Sequence, residues 1–388
     1  MKDQDQDQVA LLRWVQRNIV RFGGNPDDVT IAGYSTGSAS VDLLMVSKSA
    51  QGLFHKVIPE SGSSTAIFAV QIDPIANAKK YAKFLNFTDV NNFGDLVEFY
   101  QTVPYDVLNS VSRNDFFSGY DFALLLSPCV ERKTSEEPFL TEQPENLIKS
   151  GNYKKLPMLY GFANMEGLYR VAVFDQWRKE KSEDFAKFLP ADLQFENMEE
   201  KVAIANKIKE FYFGNKPIDA DQIINYINYF TDVIFAYPTM RAIKLYYEAG
   251  HRSIYLYEYS FVHDNDPIIP HANIRGADHC AQTNAVMDGL NITHHSELSI
   301  SKDFKDMKKI MREIWTNFII TGEPVPKGSE LPAWPSVDKE GSPHMVLNLP
   351  LELKGPLHKE RTQLWEEIYS KYYRYASPPS PPVEHTEL

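Results

Sequence analysis

The chain has 388 residues, 43% of them hydrophobic, 24% charged and 13% aromatic. That composition fills a globular core and excludes a disordered chain. Its net charge of −12 argues against nucleic acid, whose phosphates demand clustered Lys and Arg.

In chain order, Leu12, Val15 and Ile19 fall at helical spacing and predict a helix over 9–21. It ends at Phe22-Gly23-Gly24-Asn25-Pro26, where glycine and proline punctuate the chain. The β-branched run Val29-Thr30-Ile31-Ala32 predicts a strand that leads straight into Gly33-Tyr34-Ser35-Thr36-Gly37. A helix over 39–46 and a strand at Val57-Ile58 follow. Alternation of strand and helix implies a parallel α/β sheet. Further helices are predicted over 73–85, 201–213, 221–249 (kinked at Pro238), 304–321 and 360–373, with strands over 156–161 and 253–261. No run reaches the roughly 18 apolar residues that span a bilayer. The polar opening Met1-Lys2-Asp3-Gln4 carries no signal peptide. Cys129 and Cys280 are too few for a disulfide framework, and whether they pair is open. The Ser-Pro stretch from Ser377 cannot pack a core, so 377–388 is expected to be a flexible tail after one domain over 1–376.

Gly33-x-Ser35-x-Gly37 has the form of a nucleophile elbow, a strand-to-helix turn sharp enough to lift a serine hydroxyl clear of the sheet. Glycines at both flanks are expected to avoid clashes with neighbouring strand and helix. The pattern alone arises by chance in about one chain in eight of this length, given usual Gly and Ser frequencies. Its position between a β-branched strand and a helix separates it from an ordinary Gly-Ser turn. In this arrangement the Thr36 backbone N–H faces a developing oxyanion. Serine also needs a histidine to take its proton and a carboxylate to orient that histidine. In this elbow fold the chain order is Ser, acid, His. Glu166, in the turn Asn164-Met165-Glu166-Gly167 after a predicted strand, fits the acid, although a solvated turn glutamate is the commoner use of Glu-Gly. Of ten histidines, His279 in Gly276-Ala277-Asp278-His279-Cys280 lies downstream as the order requires.

The stretch from Phe22 to Gly37 resembles the active-serine signature of type-B carboxylesterases and cholinesterases, in the form seen among insect carboxylesterases. Lys2-Asp3-Gln4, Pro59-Glu60-Ser61-Gly62, Trp315-Thr316-Asn317-Phe318, Thr321-Gly322 and Trp334-Pro335 match the same family, so the resemblance covers nearly the whole chain. It implies an α/β-hydrolase fold, mostly parallel and flanked by helices, and a Ser35–Glu166–His279 triad that splits small-molecule carboxylic esters through an acyl-enzyme without metal or organic cofactor. Ser61 is implied as a support near the acid or base. The sequence also departs from the family. The glycine-rich loop that supplies further oxyanion donors is missing, together with about the first third of the usual domain, which makes the missing signal peptide uninformative. Asp5-Gln6-Asp7-Gln8 lengthens the lead-in, Thr36 replaces the usual alanine, and Cys280-Ala281-Gln282-Thr283 stands where the family carries acidic residues. Cys280 reads as a packed thiol. The missing loop leaves an alternative, a catalytically impaired, esterase-like binding module.

The ending His385-Thr386-Glu387-Leu388 resembles a signal read by the endoplasmic-reticulum retention receptor and predicts the ER lumen, with secreted or cytoplasmic residence as alternatives. Sequons at Asn86 and Asn291 permit N-glycosylation. Phe116, Phe117, Tyr120 and Phe122 are candidate pocket-lining side chains, core packing being the commoner use.

Overall fold

A computed structural model describes residues 2–110, 124, 126–132, 137–181, 184–215, 217–287, 301–376 and 378. Six strands form one sheet in the order β1(Thr30–Tyr34), β2(Lys56–Glu60), β3(Met158–Ala163), β4(Ile254–Tyr259), β5(His344–Leu347), β6(Glu352–Lys354). The first five run parallel and β6 pairs antiparallel to β5. This is the predicted α/β sheet.

Side chains along a strand alternate between faces, and the two cores follow that period. Val57, Met158, Tyr160, Phe162, Ile254 and Leu256 enter the larger core, with the helices Ile223–Thr231 and Lys359–Tyr372. Ile58, Leu159, Ala163, Tyr257, Tyr259, Met345 and Leu347 enter the second, under the helix Lys302–Thr321. β3 is buried on both faces and is apolar throughout, as a doubly covered strand requires, whereas β2 is equally buried with the charged residues Lys56 and Glu60 at its two ends. Gly161 lets the sheet close: a Cβ there would meet the Tyr257 ring at 2.4 Å. β1 lies at one edge of the sheet, with Tyr34 exposed on it and Leu11, Trp14, Val20 and Phe22 exposed on the preceding helical segment.

Most predicted elements stand with ends moved by a few residues. The first helix, α1(Lys2–Asn18), starts seven residues earlier than predicted, because the Asp-Gln repeat is helical without any apolar periodicity to announce it. The predicted helix 221–249 is divided. Ile223–Thr231 passes through a π-helical turn, Asp232–Ala236, into Tyr237–Glu248. Pro238, near the start of that last piece, lacks an N–H and crowds the carbonyl one turn back, and the widened turn absorbs both. Cys129 and Cys280 are not joined to each other by a disulfide. Among the described residues no helix is long and apolar enough to cross a membrane. Phe116, Phe117, Tyr120, Phe122, Asn291 and the tail from Ser377 (save Pro378) lie outside the described residues.

Candidate active site

Ser35 stands at a sharp turn from strand to helix. Ser35 follows the last residue of β1 and precedes α2(Thr36–Val46), at φ 55° and ψ −122°. A left-handed φ is uncommon for a residue with a side chain and marks local strain. The strain is held by a hydrogen bond from Ser35 N to the Glu60 carbonyl at 2.9 Å and by the approach of Gly62, where a Cβ would stand 2.5 Å from the Ser35 carbonyl oxygen. Thr36 opens α2, so its N–H has no acceptor within the helix and carries the positive end of the helix dipole.

The two flanking glycines are not equivalent, which corrects the sequence reading. A Cβ on Gly33 would lie 2.2 Å from the Gly37 carbonyl oxygen, whereas one on Gly37 meets nothing within 4 Å. Gly33→Ala is therefore expected to destabilise by about 1–3 kcal/mol through overpacking against backbone. Gly37→Ala should stay within about 0.5 kcal/mol of the parent, since alanine is the better helix former. Thermal unfolding of the two variants checks the contrast.

Glu166 lies just beyond β3 at the start of a 3-10 turn and is fully buried. Gly167 explains the Glu-Gly pair: a Cβ there would meet the Ile227 carbonyl oxygen at 2.3 Å, and its N–H donates to Thr231 Oγ1 at 3.0 Å. The helix Ile223–Thr231 thus clamps the turn from above. Glu166 Oε1 accepts from Ala163 N at 2.8 Å and from the Ser61 hydroxyl. Its Oε2 is paired with His279 Nδ1. His279 Nε2 stands 2.8 Å from Ser35 Oγ. A carboxylate can only accept, so Nδ1 carries the hydrogen and Nε2 presents its lone pair to the serine hydroxyl. The structure therefore brings Ser35, His279, Glu166 and Ser61 into one hydrogen-bonded chain.

The histidine is held by its own loop. Its N–H donates to Asp278 Oδ1 at 2.6 Å, and Met165 N donates to the Ala277 carbonyl at 3.2 Å. Burial pushes the Asp278 carboxyl up to about 6. Phe235, from the π-helical turn, lies against the imidazole with ring centroids 4.5 Å apart, and Tyr169 packs at 5.7 Å. Cys280 is buried, and burial pushes its thiol above the usual range, as suits a packed thiol. A cavity of about 180 Å³ beside the elbow is lined by Thr36, Ala39, Leu43, Phe68, Ala69 and Leu126, among others.

Sequence reasoning did not single out Phe235, Tyr169, Glu60 or Gln282 as parts of this site. Gln282 alone left a signal, as an amide in a segment where acidic residues were expected. Asn86 is exposed, with φ 63°, on the turn after the helix Pro74–Phe84.

Residues 6–365 match the model of the carboxylesterase family. Esterase FE4 of Myzus persicae is 30% identical over 347 residues, covering 86% of this chain and 59% of that protein. A carboxylic ester hydrolase of Bombus ignitus is 28% identical over 330 residues, covering 82% and 57%. The crystal structure of juvenile hormone esterase from Manduca sexta, with OTFP covalently attached, superposes with a TM-score of 0.78 at 26% identity, covering 94% of this chain and 70% of that one. The chain spans about six-tenths of the length of the curated relatives it matches. It belongs to the carboxylesterase family.

Proposed function

We propose that the chain hydrolyses carboxylic esters with Ser35 as nucleophile, His279 as general base and acid, and Glu166 as the group that orients the histidine. The observation that carries this reading is the unbroken sequence of hydrogen bonds from Ser35 Oγ through His279 to the buried Glu166. Ser35 Oγ attacks the ester carbonyl carbon while its proton passes to His279 Nε2. The resulting oxyanion is received by the Thr36 N–H at the α2 terminus. Collapse breaks the bond to the alcohol oxygen, which leaves with the proton from Nε2. Water then attacks the acyl-enzyme, its proton goes to Nε2, and the acid departs as that proton returns to Ser35.

Small-molecule esters are the proposed substrates, with one arm of the ester lying toward the cavity at Thr36 and Phe68. The covalently attached ligand in the Manduca sexta relative supports covalent chemistry on this fold, and the intact hydrogen-bonded chain favours hydrolysis over a binding-module role. The ending His385-Thr386-Glu387-Leu388 and the exposed sequon at Asn86 support residence in the endoplasmic-reticulum lumen as a glycoprotein.

The test is a fluorescent organophosphonate applied to the folded chain, with the adduct mapped by mass spectrometry. Stoichiometric modification of Ser35, competed by short aryl esters, is the expected result. A cooperatively folded chain that stays unmodified at Ser35 overturns the proposal.

A further inference from the structure

Behind Glu166 the hydrogen-bonded chain continues by one residue that sequence reasoning did not place in it. Gln282 lies in the short helix Ala281–Val286, just past His279, and is fully buried. Its Nε2 stands 2.6 Å from Ser61 Oγ. Ser61, itself buried and at φ 58°, gives its hydroxyl to Glu166 Oε1. A hydroxyl has one hydrogen to give. The Glu166 carboxylate cannot donate, so that hydrogen belongs to it, and whatever touches the remaining lone pairs of Ser61 must be a donor. An amide N–H meets this requirement at every pH. A carboxylate in its place meets it only while protonated; once ionised it competes with Glu166 for the same hydrogen.

Resting on the hydrolase reading above, we propose that Gln282 is a positioning residue. Its amide fixes the Ser61 hydroxyl toward Glu166, so that the acid holds His279 in one tautomer with no titratable group in the relay beyond the acid itself. The titratable groups gathered around the amide are Glu60 on β2, Tyr257 on β4, Glu166, and Asp278, His279 and Cys280 of the histidine loop. An added carboxylate would sit among several anions or potential anions.

Two variants of the whole chain test this, Gln282→Glu and Gln282→Met, each first checked for cooperative thermal unfolding. The rate of Ser35 labelling by the organophosphonate is followed between about pH 5 and 9, the range in which a buried carboxylate can titrate. Gln282→Glu is expected to match the parent at the acid end and to fall about tenfold through one ionisation that the parent lacks. Gln282→Met, which removes a donor without adding a charge, is expected to be slower by about fivefold at every pH, the worth of one hydrogen bond. A Gln282→Glu profile parallel to the parent, or parental rates in Gln282→Met, assigns Gln282 to packing alone and overturns the proposal. If Gln282→Glu does not fold, the methionine variant decides. If the parent is not labelled at all, the hydrolase reading fails and proton NMR decides on Gln282. A downfield imidazole N–H resonance that moves in either variant upholds its positioning role. A resonance that is unmoved, or absent throughout, overturns it.

Discussion

Replacing Glu166 by glutamine is expected to slow organophosphonate labelling of Ser35 by about 10⁴-fold while leaving the fold intact. The factor is that of a serine-hydrolase triad whose acid is turned into an amide. The surroundings of Glu166 dictate how the new amide must turn. Ala163 N and the Ser61 hydroxyl are both donors aimed at Oε1, so the amide oxygen has to occupy that side. Its NH₂ is then forced toward His279 Nδ1, which must become an acceptor. The imidazole hydrogen moves to Nε2 and points at Ser35 Oγ, which stands 2.8 Å away. In that tautomer the ring cannot take the serine proton. Volume is conserved, and a neutral amide is easier to bury than a carboxylate, so the unfolding midpoint should not fall by more than a few degrees. The measurement is the second-order labelling rate of parent and Glu166→Gln, read beside their melting curves. A loss smaller than about tenfold, with the fold preserved, would show that other contacts orient His279 and would remove Glu166 from its proposed role.

The elbow was legible in the sequence because its requirements are local. A β-branched run, a glycine with no room for a Cβ and a helix start occur within 17 residues (Thr30–Val46). The acid was not legible in the same way. What makes Glu166-Gly167 more than a surface turn is the Ile227 carbonyl pressing on Gly167 from a helix about 60 positions away, and only tertiary packing brings that contact about. His279 had nine competitors of its own kind, and chain order alone narrowed the field; family resemblance supplied the rest. Phe235 was hidden by its setting. A π-helical turn shifts the helical face by a fraction of a turn, so a periodicity of 3.6 cannot forecast that this phenylalanine lies on the imidazole. β5 and β6, four and three residues long, were too short to carry a pattern; β5 forms on the edge that β4 offers, and β6 on the edge of β5 in turn.

The second large effect concerns stability and pH, and it comes from Glu60 at the end of β2. Glu60 is buried beneath the elbow, hydrogen-bonded by Thr283 Oγ1 at 3.2 Å and by Trp315, and no cation is among the influences on it. Burial pushes its carboxyl from 4.5 up to about 8. Between those two values the folded protein keeps a proton that the unfolded chain has released. Raising the pH therefore works against the folded state. The contribution is fully present below about pH 4.5, declines as pH rises toward about 8, and levels off beyond it. Its size is roughly 3–5 kcal/mol across the window. Asp278 and Asp192, both pushed by burial up to about 6, act in the same direction over a narrower range. Glu60→Gln keeps a neutral, hydrogen-bonding side chain of the same shape and removes the titration. Urea unfolding at about pH 5 and pH 9 should show the variant gaining on the parent by roughly 3 kcal/mol or more as pH rises. Parallel stability curves would mean that Glu60 is already ionised in the fold. The carboxylate would then need a compensating donor beyond Thr283 and Trp315, and the strand end that holds Ser35 N through the Glu60 carbonyl would carry a charge directly under the nucleophile.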